Sequence, residues 1–565
     1  MTSLPPRYHR PPVHAPKVGG RALRAFVRTL EGPLGAVLLD KIKRDSGFDA
    51  FRRQDPGLAP PLAPSLPHPQ PLPATAAPHA LAAQAIDAGS DGGDGRTGAD
   101  RETVAAYRAA YAGGVSPLDV VARLERGIAH HTDAGMGFFI ARRPELLDRE
   151  AQASAQRHRA GQPLSVLDGV PVVIKDELDV QGYATTLGTK FRRDIAAADS
   201  TVVARLKAAG ALVLGKGNMN EIGINPIGLN PHWGPCRNPW DRTKITGGSS
   251  SASAATVAAG LCPVAIGADG GGSIRIPAAL CGVVGLKATH GRVPETGVPP
   301  LCWTPGHAGP LGLTVADVAA AYAVIAGRDD ADVASHKQPP PSLQGLADRD
   351  VRGLRIGVCM PYFEDADPDV VARAKDALRA LVAAGCVVVE LPPPDLNRIL
   401  WAHATIILSE MATAMRDEIA RDRTRFALDS RTNLAIAATF SATDYVHALR
   451  HRHAITVATW EQLLQVDAIA TPTTASTAPA IPERTLPDGE SNLVVVDALM
   501  RFIRTANLTG FPALSVPCGF DGQGLPVGFH LMGRPWEEHT LLRLGRVVEE
   551  ATPVRLPRVH ARGLR

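Results

Sequence analysis

The chain has 565 residues, of which 45% are hydrophobic and 21% charged, a balance that fits a folded globular protein and excludes a disordered one. Its 60 basic and 56 acidic side chains leave a net charge of +4, too little over this length for a nucleic-acid footprint. No apolar run is long enough to span a bilayer, and residues 1–20 hold no apolar stretch of the kind a secretory signal requires.

In chain order, residues 1–52 form the first unit. Leu23, Phe26, Val27 and Leu30 follow helical spacing, Gly32-Pro33 interrupts it, and Leu34, Val37, Leu38 and Ile42 resume it. Two short amphipathic helices over 21–45 are expected, docked on the main body. With Arg and Lys on their flanks, a weak membrane-surface contact and a homodimer contact are the alternatives. Residues 53–98 hold nine prolines between 56 and 78, then the run GSDGGDGRTG at 89–98. Such a stretch buries little apolar area, and a linker or surface loop is expected.

Residues 99–555 resemble one large α/β unit. Apolar, β-branched runs recur at 170–174, 211–214, 264–266, 356–359, 387–389, 468–470, 514–516 and 527–531, with helical patterns between many of them. Asp367-Pro368 marks a helix start, with the helix running to about Ala384 and ending at Gly385. This alternation implies a buried sheet covered by helices. Residues 556–565 are a tail. Seven cysteines, at 236, 262, 281, 302, 359, 386 and 518, show no CxxC spacing and are expected to be reduced, packed thiols of a cytoplasmic protein. In His451-Arg-His453 the two imidazoles are two residues apart on a helical pattern, so they share no face, and a surface position is expected.

Three segments carry candidate chemistry. In Asp168-Gly-Val-Pro-Val-Val-Ile-Lys-Asp176, Lys175 ends an apolar strand, where it either reaches solvent or is buried and functional. In the run 246–260, two glycines and three serines precede a small-residue helix. A capped helix start explains this, and the missing GxxxxGK[ST] pattern disfavours a phosphate loop. In the run 267–282, three glycines precede Ser273. That run is costly to order unless backbone N–H groups must approach a ligand, for instance to stabilise an oxyanion.

Together these segments are far more specific than any one alone. GVPVVIKD, GGSSS and GADGGGSIRIPAALCGVVGLK, with 74 residues from Lys175 to Ser249 and 24 from Ser249 to Ser273, resemble the amidase signature family. Residues 468–473, 507–517 and 525–528 also fit. The run 225–239 is similar to the fatty acid amide hydrolase branch of plant type. The resemblance implies a single large domain with a central mixed β-sheet covered by helices on both faces. It implies a Ser–cis-Ser–Lys triad: Ser273 as nucleophile, Ser249 as bridge after a cis peptide bond, Lys175 as base. It further implies an oxyanion hole from Gly270, Gly271, Gly272 and Ser273, with Ser250, Asp269 and Arg275 in support. Neither cofactor nor metal is called for.

Position 268 departs from the family pattern, with Ala where Thr is common. Ser251-Ala252 also replaces a frequent Gly-Gly. Serine needs a base to become a nucleophile, and lysine serves as one only when neutral, a form that burial favours. The activity implied is hydrolysis of a small-molecule amide with an apolar acyl or aryl group. A carbamate (urethane) or ester hydrolase of the same fold, or an amidotransferase A subunit, is the alternative. Leu301, Trp303, Trp401, Ile406, Ile407, Leu408, Phe440 and Tyr445 are the candidate pocket walls. Phe26, Leu30, Leu34 and Leu38 are the candidate roof of an access path.

Overall fold

The computed structural model describes residues 8–10, 17–57, 77–90, 101–348 and 350–564. Eleven strands form its main sheet: β1 (Phe139–Ala141), β2 (Pro171–Lys175), β3 (Leu212–Gly217), β4 (Val264–Ala268), β5 (Val284–Lys287), β6 (Ala308–Gly312), β7 (Arg355–Val358), β8 (Val387–Glu390), β9 (Ala468–Pro472), β10 (Ala513–Phe520) and β11 (Pro526–Gly533). Their spatial order is β1-β3-β2-β4-β6-β5-β10-β11-β9-β7-β8. The sheet is mixed: β2 runs parallel to both β3 and β4, and β7 runs parallel to β8 and β9. The pairs from β4 through β6, β5, β10 and β11 to β9 are antiparallel. β2 is buried along its whole length, as the unbroken run PVVIK requires of a strand covered on both faces.

All eight apolar runs picked out above are strands. β1, β5 and β6 are additional, and each hides from pattern reading. β1 is only three residues long, β5 ends on Lys287, and β6 reads AGPLG with Pro310 opposite Ile266, where a strand pattern would not place a proline. The helix after Asp367 spans Pro368–Ala383, followed by Gly385 at φ +97°. All seven cysteines are buried and unpaired.

The expected break at Gly32-Pro33 separates helices α1 (Gly20–Leu30) and α2 (Gly35–Asp45), and a third, α3 (Phe48–Arg53), follows. α1 buries Leu23, Val27 and Leu30, while α3 drives Phe48 and Phe51 into a cluster with Ile399, Trp401, Ile406 and Ala448. This third helix changes the expectation for His451. Instead of lying at the surface, His451 is fully buried, with its ring 4.7 Å from that of Phe51 and its Nε2 3.0 Å from His447 Nε2.

Within the stretch expected as linker or loop, residues Pro78–Ser90 form helix α4. Pro78 opens it, and Leu81, Ala82, Ala85 and Ile86 make a buried stripe whose small residues let it pack closely against the alanine-rich helix Val315–Ile325. Most of the proline run and residues 91–98 lie outside the described residues.

Candidate active site

The parallel pairing of β2 with β4 puts the carboxyl ends of both strands on one edge of the sheet, where open α/β sheets place their ligand sites. Lys175 is the last residue of β2, and Ala268 is the last of β4, just before the triple glycine. Side chains alternate at the end of β2. Asp176 points away to a fully buried ion pair with Lys216 at 3.0 Å, while Lys175 and Glu177 turn to the same side.

Lys175 is 1% exposed. Its Nζ donates to Ser249 Oγ at 2.8 Å and to the Ala268 carbonyl at 3.2 Å, and it lies 2.6 Å from Glu177 Oε2. The Gly248–Ser249 peptide is cis. Ser250 ties the serine loop to the glycine loop. Its backbone N–H donates to the Ser273 carbonyl at 3.2 Å, its Oγ donates to the Ala268 carbonyl at 3.1 Å, and the same Oγ accepts from the Ala268 N–H at 3.2 Å. At position 268 the chain thus supplies a carbonyl where a Thr would have added a hydroxyl.

Asp269 and Arg275, both fully buried, brace the glycine turn. Arg275 Nε donates to Asp269 Oδ2 at 3.0 Å and its Nη2 to Oδ1 at 3.1 Å. Its remaining contacts are the Ile503 carbonyl, Asn507 Oδ1 and His530 Nε2. Burial alone would push the Asp269 carboxyl up, but Arg275 and the amide of Asn507 hold it well below the usual carboxylate range. Asp269 also accepts the Gly272 N–H at 2.6 Å. That amide is therefore taken by a side chain, and the four-donor oxyanion hole expected from the sequence is reduced. The N–H groups of Gly270, Gly271 and Ser273 have no partner among the described residues. Gly272 sits at φ +111°, and a Cβ there would fall 1.7 Å from Ile503 Cδ1, so no other residue fits. His403 lies across the turn, its Nε2 2.9 Å from the Gly270 carbonyl. Burial above all lowers its pKa to about 4, so the ring is neutral and Nε2–H donates to that carbonyl.

Ser273, Ser249 and Lys175 open onto a cavity of about 390 Å³ with largely apolar walls. Of the expected wall residues, Leu301, Ile407 and Leu408 line it, joined by Met411, Ile436 and Met500. Trp401 and Tyr445 are not among its lining residues. Trp401 packs on Phe48 and donates to the Ser46 carbonyl, and the Tyr445 hydroxyl donates to Glu410. Ile406 and Phe440 belong to the same packed cluster as Trp401. Trp303, 41% exposed, borders a neighbouring cavity of about 370 Å³. Of the expected roof, Phe26 and Leu38 reach the main cavity, with Ile42. Leu30 is buried in packing, and Leu34 is exposed.

Sequence reasoning missed Glu177, Glu295, His403 and Asn507. The signal for Glu177 was its spacing of two from Lys175 at a strand end. Glu295 lies between the two cavities, and burial, then Asp332 and Glu177, raise its carboxyl to about 8. No group of residues suited to hold a metal ion occurs among the described residues.

The chain is similar to known proteins over most of its length. Residues 120–542 match the family model described as Amidase. A fatty acid amide hydrolase of Arabidopsis thaliana is 37% identical over 97% of this chain and 95% of its own length. The glutamyl-tRNA(Gln) amidotransferase A subunit of Koribacter versatilis is 36% identical over 72% of this chain and 89% of its own. Among solved structures, a native peptide amidase from Stenotrophomonas maltophilia superposes with a TM-score of 0.71, at 30% identity, over 81% of this chain and 99% of that one.

Proposed function

The chain belongs to the amidase family and hydrolyses carboxylic amides, and we propose that it does so by acyl transfer through Ser273, Ser249 and Lys175 on substrates with an apolar acyl or aryl group. The observation that carries this reading is the cavity itself, which has largely apolar walls and is lined by Ser273 and by the hydrogen-bonded pair Lys175 and Ser249.

The chemistry follows from the donors and acceptors in place. The substrate carbonyl oxygen sits against the unpartnered N–H groups of the glycine turn, which meet the negative charge as it develops. Ser273 Oγ bonds to the carbonyl carbon and passes its proton to Ser249, whose own proton passes to Lys175. When the C–N bond breaks, the proton returns along the same relay to the leaving nitrogen. A water molecule then attacks the acyl-enzyme, with Lys175 again accepting through Ser249, and the acid is released. Ester or carbamate cleavage would use the same steps, and paired substrates with a common acyl group rank the three. The amidotransferase alternative is the weaker one, because the plant amide hydrolase matches 97% of this chain against 72% for the amidotransferase component.

The test is a series of primary amides of increasing acyl length offered to the chain alone. The reading requires turnover without any partner protein and a kcat/KM that rises with chain length. A preference for acetamide over long-chain amides would contradict it.

Among the described residues no helix is long and apolar enough to cross a membrane. A weak contact of residues 21–45 with a membrane surface fits Leu34 and Val37, 66% and 69% exposed, on the segment whose other side borders the cavity. Sedimentation with anionic vesicles tests it, and Leu34→Ser with Val37→Ser should abolish it. Seven buried, unpaired thiols support a cytoplasmic location.

A further inference from the structure

The base has a neighbour that the proposed relay does not use. Glu177 is 8% exposed, borders the cavity, and brings Oε2 to 2.6 Å from Lys175 Nζ. Apart from the lysine, that oxygen has no polar partner among the described residues. Around Nζ there are thus three oxygens: the Ser249 hydroxyl, the Ala268 carbonyl and the Glu177 carboxylate. A neutral amine has two N–H bonds and one lone pair. With one N–H on Ala268 and the other turned to Glu177, the lone pair is left facing the hydroxyl whose proton it must take. After transfer, the ammonium has three N–H bonds and the same three oxygens to receive them. The cage suits the base both before and after it works.

We propose that Glu177 is a fourth member of the relay, a positioning residue that acts through Lys175. It aims the amine at Ser249 and supplies the counter-charge for the ammonium that forms as Ser273 attacks. The proposal rests on the roles proposed above for Lys175, Ser249 and Ser273. The step balances without any further reactant. The Ser273 proton moves to Ser249, the Ser249 proton moves to Lys175, and the positive charge created on Nζ is met by the negative charge already on Glu177. No proton needs to reach Glu177.

The surroundings favour this role over a structural one. Two further acidic groups lie near the pair: Glu295, on the loop after β5 with Asp332 behind it, whose carboxyl is raised to about 8, and Glu410, on the helix Leu396–Ala414, which is also raised, in both cases chiefly by burial. Both are held toward their neutral forms and neither is in contact with Nζ, which leaves Glu177, at 2.6 Å, as the carboxylate placed to meet the cation. Beyond Ala268, Asp269 is committed to Arg275. A carboxylate held this close to a base plays the part that an aspartate plays beside a catalytic histidine, with the difference that an amine has no tautomer to fix. The expected loss on removing it is therefore smaller than for that aspartate.

The experiment measures kcat and kcat/KM against pH for the full chain on one long-acyl amide, in wild type, Glu177→Gln, Glu177→Asp and Ser273→Ala. Glu177→Gln keeps size and loses charge. We expect its plateau kcat to fall about 10- to 100-fold with KM within about twofold. We also expect the acid limb of its kcat/KM profile to move about one pH unit or more lower, because the ammonium has lost its counter-charge. Glu177→Asp keeps the charge and should leave the limb near its wild-type position. Should Glu177→Gln not fold, the aspartate variant decides: a limb that follows wild type supports the proposal, and one displaced by a unit overturns it. An unmoved limb in Glu177→Gln overturns the proposal as well, whether kcat is retained or falls equally in both variants. Ser273→Ala separates the two levels. If it retains turnover, the acyl-transfer reading itself fails; if it is inactive while Glu177→Gln matches wild type, only the fourth member is lost.

Discussion

Arg52 at the end of the N-terminal extension grips Asp444 of the catalytic body through two parallel hydrogen bonds, Nε to Oδ1 at 2.8 Å and Nη2 to Oδ2 at 2.7 Å. Asp444 is also the residue that closes the capping box with Ser441 at the start of the 22-residue helix Ala442–Leu463. One carboxylate thus starts a helix of the body and fastens the extension to it. Arg52→Ala should loosen α3, and through it the roof over the cavity. The expected result is a larger rise in KM for long-acyl amides than for short ones, with the catalytic body still folded by circular dichroism. Equal effects on both substrates would mean that the extension docks without roofing the site.

The roof can also be tested residue by residue. Phe26 and Leu38 border the cavity, whereas Leu34, four residues before Leu38, is exposed. Losing a large apolar contact with a bound acyl chain is worth about 1–2 kcal/mol, or about tenfold in kcat/KM. Phe26→Ala and Leu38→Ala should each cost about that much on long-acyl amides and little on acetamide, while Leu34→Ala should change neither.

The brace under the glycine turn is a fully buried ion pair. Removing one partner strands the other, at a cost of about 3–5 kcal/mol. Arg275→Met should lower stability to urea by that order and reduce kcat, since the Gly272 amide depends on the same Asp269 carboxylate. A variant with wild-type stability would show that the pair is not what holds the turn.

Acid should destabilise the protein through its buried histidines. His131 is 3% exposed, and neither ring nitrogen has a hydrogen-bond partner among the described residues. Burial first, then His130 and His560, lower it to about 4. Because the folded value lies below the unfolded one, near 6.5, this group's contribution is complete above that pH and is lost as the pH falls toward 4. His131→Phe, placed beside Phe138, should therefore shrink the drop in melting temperature between pH 7 and pH 4.5, by about 2 °C or more. An unchanged drop would refute the assignment.

The sheet was legible in its eight apolar runs, while the roles proposed for Lys175, Ser249 and Ser273 come from the likeness of three motifs to a family and not from the pattern of any one of them. What stayed hidden was decided by partners distant in sequence. α4 was obscured by the prolines before it, although its alanine and leucine stripe was present at Leu81, Ala82, Ala85 and Ile86. Trp401 and Tyr445 look like pocket walls by composition, yet one carries Phe48 and the other binds Glu410. No local pattern tells which side of a helix will meet an extension arriving from 355 residues earlier. The three glycines were legible as a tight turn or a close backbone approach, but the loss of the Gly272 amide to Asp269 depends on how the turn folds back on that carboxylate.

Ser273 as the attacking group is the central claim, and the most direct measurement of it is covalent. A fluorophosphonate probe reacts with a serine only where a base and an oxyanion site activate it. Mass spectrometry of the labelled chain should find one modified residue, Ser273, with labelling slowed about 10²- to 10⁴-fold in Lys175→Ala and in Ser249→Ala and absent in Ser273→Ala. Labelling at another serine, or amide turnover that survives Ser273→Ala, would contradict it.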